Sequence, residues 1–202
     1  MNVEFIEQSH EIIHVSGGWQ LIARVARECY GSTSKGEESD KELVCDLLKK
    51  DHQQTELGWM VVRIVCDRGI SHELVRHRLF TFAQQSQRYV NYKGKGFKFI
   101  LPDGLPSIVQ MGMKEQCFKA ADYYSVLLEY FEPLKPEIAR YVLPNATATV
   151  IVVGGNVREW RHFFRLRCDK HAHPMMQKLA RGILRDAKEQ MPVVFEDINP
   201  DA

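Results

Sequence analysis

Residues Glu73 to Tyr89 read E-L-V-R-H-R-L-F-T-F-A-Q-Q-S-Q-R-Y, with three arginines, a histidine, a carboxylate and a run of amides and hydroxyls among apolar residues. Arg76, His77 and Arg78 are adjacent. On a helix they would fan out over most of a turn, which one salt bridge to a neighbouring helix does not require. The cluster suits an anion. Beyond it, Gln84, Gln85, Ser86, Gln87 and Arg88 supply donors and acceptors that fit a phosphate and a polar ring. Most short basic runs are solvated faces, so the rest of the chain has to agree.

The chain has 202 residues, 45% of them hydrophobic and 26% charged, which is enough for one sizeable core, and the expectation is a single domain over residues 1–202. A formal net charge of +1 gives no general attraction to nucleic acid or to a membrane. Any basic site is therefore local and meant for a small anion. Met1 to His14 lacks the basic start and apolar run of a signal peptide, and no stretch is apolar for the roughly 20 residues that span a bilayer. A cytoplasmic protein is expected. Cys29, Cys45, Cys66, Cys117 and Cys168 are scattered without a C-x-x-C pair, as reduced thiols are, and no metal site is expected. His171 and His173 stand two apart and would diverge at a helix start, with no third ligand at suitable spacing.

Periodicity orders the chain. Asn2 to Glu7 alternates as a strand, Ser16-Gly17-Gly18 breaks it, and Trp19, Ile22, Ala23, Ala26 and Cys29 recur at helical spacing. Ser39 with Glu42 has the form of a capping box opening a second helix, with Leu43, Leu47 and Leu48 inward. His52 to Gly58 is a polar loop. Trp59 to Cys66 reads as a covered strand and Asp67-Arg68-Gly69 as a turn; Ser71 then caps a helix carrying the basic trio near its negative end. Phe80 to Tyr92 could be extended, Lys93 to Gly96 is a turn, and Phe97 to Leu101 is a short strand. Helices are expected over Ser107–Tyr130, Pro136–Leu143 and Pro174–Gln190, a buried strand over Ala146–Val153 closed by Gly154-Gly155, and a loosely held tail. Lys93, Lys95 and Lys98 among Tyr92, Phe97 and Phe99 read as a solvated hairpin edge more than a nucleic-acid surface.

Asn156 with Glu159 forms another capping box. In the helix that follows, Arg158, Arg161, His162 and Arg165 share a polar stripe, while Trp160, Phe163, Phe164 and Arg167 share the apolar one. Arg167 is the exception on its stripe. A guanidinium turned inward cannot shed its charge, so it needs an internal carboxylate, with Asp169 and Glu137 as candidates, or a ligand. The Gly-Gly-Asn start also offers backbone N–H groups at a positive helix end as an anion site.

Arginine-histidine-arginine, seven residues, then serine, here Arg76-His77-Arg78 and Ser86 with C-D-R-G-I-S-H-E-L-V before and Q-R-Y after, resembles the signature of the flavin-dependent thymidylate synthases. Asn156-x-Arg158, His162 and Arg167 resemble that family's second flavin and nucleotide segment. Glu137-Ile138-Ala139-Arg140 with Leu143-Pro144 resembles the stretch carrying another substrate arginine. The chain departs from the pattern at Leu57, where the family carries a histidine, at His52, which aligns only across a one-residue gap, and in having glutamine at Gln84 and Gln85.

The resemblance implies an α/β (α+β) fold, a central, mostly antiparallel sheet with flanking helices. It implies an enzyme that makes dTMP from dUMP, with FAD reduced by NADPH and methylenetetrahydrofolate as carbon donor, in a homotetramer whose sites are shared between chains. By position, Arg76, His77, Arg78, Gln84, Asn156, Arg158 and His162 would hold FAD. Glu73, Gln84, Gln85, Ser86, Gln87, Arg88, Arg140 and Arg167 would hold dUMP. Arg167 would be catalytic, its fixed charge opposing the negative charge that grows on the uracil, an effect on the order of 3 kcal/mol for one well-aimed donor. No protein nucleophile is required, since no cysteine sits beside an obvious base and Ser86 has no activating histidine and carboxylate in sequence. Two other readings stay open: a nucleotide-binding regulator without turnover, and a nucleic-acid-binding module using the arginine stripes.

Overall fold

The computed structural model describes residues 2–131 and 134–200. It is a mixed α/β fold with an antiparallel four-stranded sheet and flanking helices, as expected. In chain order come β1 (Val3–Phe5), β2 (Ser9–Ser16), α1 (Trp19–Cys29), α2 (Glu37–Lys49), a 3-10 turn (Gln53–Leu57), β3 (Trp59–Asp67) and α3 (Arg68–Leu74). There follow β4 (Thr81–Gln84), α4 (Tyr92–Lys95), β5 (Phe97–Phe99), α5 (Ser107–Tyr130), α6 (Pro136–Ala139) with a 3-10 turn over Arg140–Val142, β6 (Ala148–Asn156), α7 (Val157–Arg167) and α8 (Pro174–Gln190). The sheet order is β2-β3-β6-β4. β3 alternates along its length, with Met60, Val62, Ile64 and Cys66 fully buried between half-buried neighbours. One face of it therefore serves the core while the other is only partly covered.

The chain divides into two compact units, Met1–Ser9, Ile64–Arg76 and Ala83–Ile151 in the first, His10–Arg63, His77–Phe82 and Val152–Ala202 in the second. In the first unit β1 pairs with β5 in parallel, Val3 opposite Phe97 and Phe5 opposite Phe99. Tyr92, Phe97 and Phe99 pack there with Cys117, Ala121 and Tyr124 of α5 and Ala139 of α6. In the second unit Ile22 and Ala26 of α1, Leu47 and Leu48 of α2, and Met176, Leu179 and Ile183 of α8 are buried. The aromatic residues Trp160, Phe163 and Phe164 of α7 form the middle of that core, and Phe195 lies edge-on to Phe164.

Several expectations are corrected. β2 was not anticipated, because S-H-E-I-I-H-V-S places two isoleucines side by side and lacks a clean alternation. α2 begins two residues before the supposed Ser39 box, led by Glu37, Glu38 and Asp40, which suit the positive end of the helix. Ser39 instead accepts from Arg27 Nη2 at 2.8 Å. The cap of α3 is Asp67, which accepts from the Ile70 N–H at 2.8 Å, and Ser71 lies inside the helix. Gly154 and Gly155 do not close β6 but belong to it. Of the stretch from Phe80 to Tyr92 only Thr81–Gln84 is a strand, and Tyr92 to Lys95 is a helical turn. The tail is anchored, with Val194, Phe195 and Ile198 buried.

Candidate active site

α3 ends at Leu74 with Val75 as its C-cap, so the basic run lies in the turn beyond the helix, not on it. A turn lets neighbours face opposite ways: Arg76 and Arg78 are exposed, while His77 is only 7% exposed. In the second unit the His77 ring packs edge-on to Phe163 at 5.0 Å between centroids and lies 5.9 Å from Phe80. Phe80 can occupy that place because residue 155 is glycine; a Cβ there would meet the Phe80 ring at 2.2 Å.

Both nitrogens of His77 face charged groups of α7. Arg167 Nε donates to His77 Nε2 at 3.0 Å, and Glu159 Oε1 stands 3.5 Å from His77 Nδ1. An arginine Nε can only donate, so His77 Nε2 must carry a lone pair and the ring proton belongs on Nδ1. Burial, with the charges of Arg167 and His162, lowers the His77 pKa to about 4, so the ring is neutral at ordinary pH. Burial likewise pushes the Glu159 carboxyl up, against the pull of His162.

The His162 ring lies 6.2 Å from that of His77, and Arg78, Arg158 and His162 are exposed. Arg158 Nη1 contacts Glu56 Oε1 at 2.7 Å, both side chains more than 40% exposed. Such a pair contributes roughly 0–1 kcal/mol, so an anionic ligand can displace it. Arg165 pairs with Asp51 in the same manner.

The first unit holds the amide-rich residues. Gln84 Nε2 donates to Ser71 Oγ at 2.9 Å and reaches Thr149 Oγ1 at 3.4 Å. The Gln85 N–H donates to the Val150 carbonyl, extending the pairing one residue past the end of β4. Ser86 turns the chain, its carbonyl accepting from Tyr89 and Val90 and its Oγ from the Arg88 N–H at 3.3 Å. Gln87 is buried, Glu73 half-buried, and Arg88 is exposed and 3.5 Å from Glu137, three residues before Arg140. Two guanidiniums of this unit thus flank one short helical segment.

Other residues differ from their sequence reading. Arg161, expected on the polar stripe, is 1% exposed and grips Asp197 through two contacts of 2.6 Å while donating to the Val194 carbonyl. The buried arc of α7 includes Val157, Glu159 and Arg161 and is wider than one stripe. Glu159 forms only half of the capping box: its N–H donates to Asn156 Oδ1 at 2.8 Å, but its carboxylate turns to His77. The Val157 N–H donates to the Gly58 carbonyl, so anion binding falls to the side chains more than to the helix start. Glu137, a candidate acceptor for Arg167, contacts Arg88 instead, and Asp169 holds His171 Nδ1 at 2.8 Å. His173 caps α8 by accepting from the Met175 N–H. Lys93 and Lys98 pair with Glu129 and Glu4 in exposed contacts, as a solvated edge does. Burial pushes Cys66 up to about 12 and Cys117 up to about 11, so neither is a thiolate at neutral pH. Glu159 is the residue that sequence reasoning missed, although it stands four residues before Phe163, on the inward face.

Exposed arginines for anions, with amides and hydroxyls suited to a polar ring, are the equipment of an α/β protein that handles nucleotides. Residues 11–193 match the family described as thymidylate synthase complementing protein, and the chain belongs to that family. It is 35% identical over 193 residues to the flavin-dependent thymidylate synthase of Geobacter sulfurreducens, covering 89% of this chain and 81% of that one. Its identity to the Mycobacterium tuberculosis enzyme of the same name is 32% over 203 residues, covering 90% and 80%. Among solved structures, the UMP/dUMP methylase PolB from Streptomyces cacaoi, bound with 5-Br dUMP, shares the fold with a TM-score of 0.83 at 22% identity over 97% of this chain and 96% of that chain.

Proposed function

We propose that the protein is a flavin-dependent thymidylate synthase, working as a single functional domain over its whole length, that methylates dUMP reductively to dTMP without a protein nucleophile. The observation that carries this reading is the contact between Arg167 and His77. Two segments 90 residues apart, which the sequence assigns to one site, meet there side chain to side chain. Membership of the family and the names of the relatives in Geobacter and Mycobacterium support it.

The donor set fits FAD: Arg76, Arg78 and Arg158 are exposed cations whose planar forks suit a pyrophosphate, and His162 is exposed beside them in sequence order. Arg76, His77, Arg78, Gln84, Asn156, Arg158 and His162 are assigned to that cofactor. When bound, FAD reduced by NADPH supplies the reducing equivalent, and methylenetetrahydrofolate supplies the carbon. Arg88 and Arg140 take the dUMP phosphate; Glu73, Gln84, Gln85, Ser86 and Gln87 orient the nucleoside. Gln84 gives its amide nitrogen to Ser71, which leaves its carbonyl to accept from a ligand. Arg167 stabilises the negative charge that develops on the uracil. A domain of 202 residues has little interior for three ligands, which supports sites shared between chains; the assembly we assign is a homotetramer and the compartment the cytoplasm.

The test compares wild type with Arg167→Lys. Wild type should purify yellow and form dTMP from dUMP, methylenetetrahydrofolate and NADPH. Arg167→Lys should stay folded and lose on the order of 100-fold in turnover, since a point charge does not replace the fork. Near-normal turnover by the variant removes Arg167 from the chemistry. A colourless wild-type protein that binds oligonucleotides in a salt-dependent way overturns the enzyme.

A further inference from the structure

Glu159 is a carboxylate that the proposed chemistry leaves unused, yet it is 5% exposed on a helix whose buried face is otherwise mostly aromatic. Burying an ionisable group is costly unless something answers it. The group facing it is His77 Nδ1 at 3.5 Å, and on the opposite side of the same ring Nε2 accepts from Arg167 Nε at 3.0 Å. We infer that Glu159 is a positioning residue for Arg167, acting through the His77 ring: it holds the ring proton on Nδ1 and so keeps Nε2 as the acceptor that fixes the guanidinium plane. The other tautomer would set an N–H of the ring against the N–H of Arg167, and this contact would be lost. With Nε fixed, the plane of the guanidinium is set. The catalytic part of this inference rests on the thymidylate synthase reading; the tautomer does not.

The experiment uses the full chain with its histidines labelled with nitrogen-15, the His77 signals being identified by their loss in His77→Asn. Wild type should show a protonated Nδ1 and an unprotonated Nε2 on His77. Glu159→Leu should lose that preference, and Glu159→Gln, which keeps an acceptor oxygen, should retain it. In turnover, Glu159→Leu should lower kcat by roughly tenfold or more with KM for dUMP changed by less than about threefold, while Glu159→Gln recovers to within about threefold of wild type. A purely structural carboxylate predicts a different result: Glu159→Leu, which leaves the buried His77 Nδ1–H without its acceptor, would lower stability while kcat per folded protein stays intact. That result, or a wild-type ring protonated on Nε2, overturns the relay. Wild type with the Nδ1 tautomer but no dTMP formation overturns the enzymatic reading and leaves the relay standing.

Discussion

His77 resists protonation in the fold, and that sets a pH dependence. Its pKa is lowered to about 4 by burial, then by Arg167 and His162, with Glu159 facing it on the favourable side. The unfolded chain takes up the proton near the ordinary value of 6.5 and the folded chain does not. The stability from the neutral ring is therefore complete above about pH 6.5 and is lost as pH falls towards 4, by on the order of 3 kcal/mol. Urea unfolding of wild type and His77→Asn at pH 7.5 and pH 4.5 should show the gap between them shrinking at the lower pH; a constant gap contradicts the neutral ring. Arg167 is legible in the sequence as a cation on the wrong stripe, but its contact with His77 is not. A neutral imidazole, which accepts from the Arg167 Nε through a lone pair, has no signature in sequence spacing. Arg161 and Glu159 were misread for one reason: the buried arc of α7 is wider than a single stripe, so flanking charges are buried as well.

Among the elements, α7 is tied to the tail that follows α8 through Arg161, whose guanidinium is held by Asp197 and the Val194 carbonyl. Asp197→Asn leaves a buried cation with one neutral contact in place of its counter-charge. A loss of about 2–3 kcal/mol is expected, less than for a fully enclosed pair because Asp197 is 42% exposed. Denaturant unfolding measures it, and an unchanged midpoint would mean that the tail is held by its apolar residues alone. The long helices were readable to the residue, a proline marking each start: Pro106 just before α5 and Pro174 as the first residue of α8. Helix starts at Ser39 and Ser71 were misplaced because a hydroxyl is a common cap but not an obligatory one. In α2 acidic residues lead the helix, and in α3 an aspartate two residues before the glycine turn's end takes the cap. β2 and the shortness of β4 depend on neighbouring strands, which local alternation does not encode.

For the whole molecule, the proposed ligand set is spread through the sequence from Glu73 to Arg167. Within the first unit it collects Gln84, Ser86, Arg88 and Arg140, and within the second His77, Arg78, Asn156, Arg158, His162 and Arg167. The motif resemblance could name these residues; what it could not supply is the second layer, Glu159 behind His77 and Glu56 before Arg158, because each depends on folding partners distant in sequence. Among the described residues no helix is long and apolar enough to cross a membrane. In the proposed enzyme Arg167, braced at Nε, directs its guanidinium at the base of a bound nucleotide. A crystal structure of the assembled protein with FAD and dUMP tests this most directly. A terminal nitrogen of Arg167 should lie within about 3 Å of the uracil edge while Nε still rests on His77; uracil bound elsewhere, with Arg167 remote from both ligands, would rule this role out.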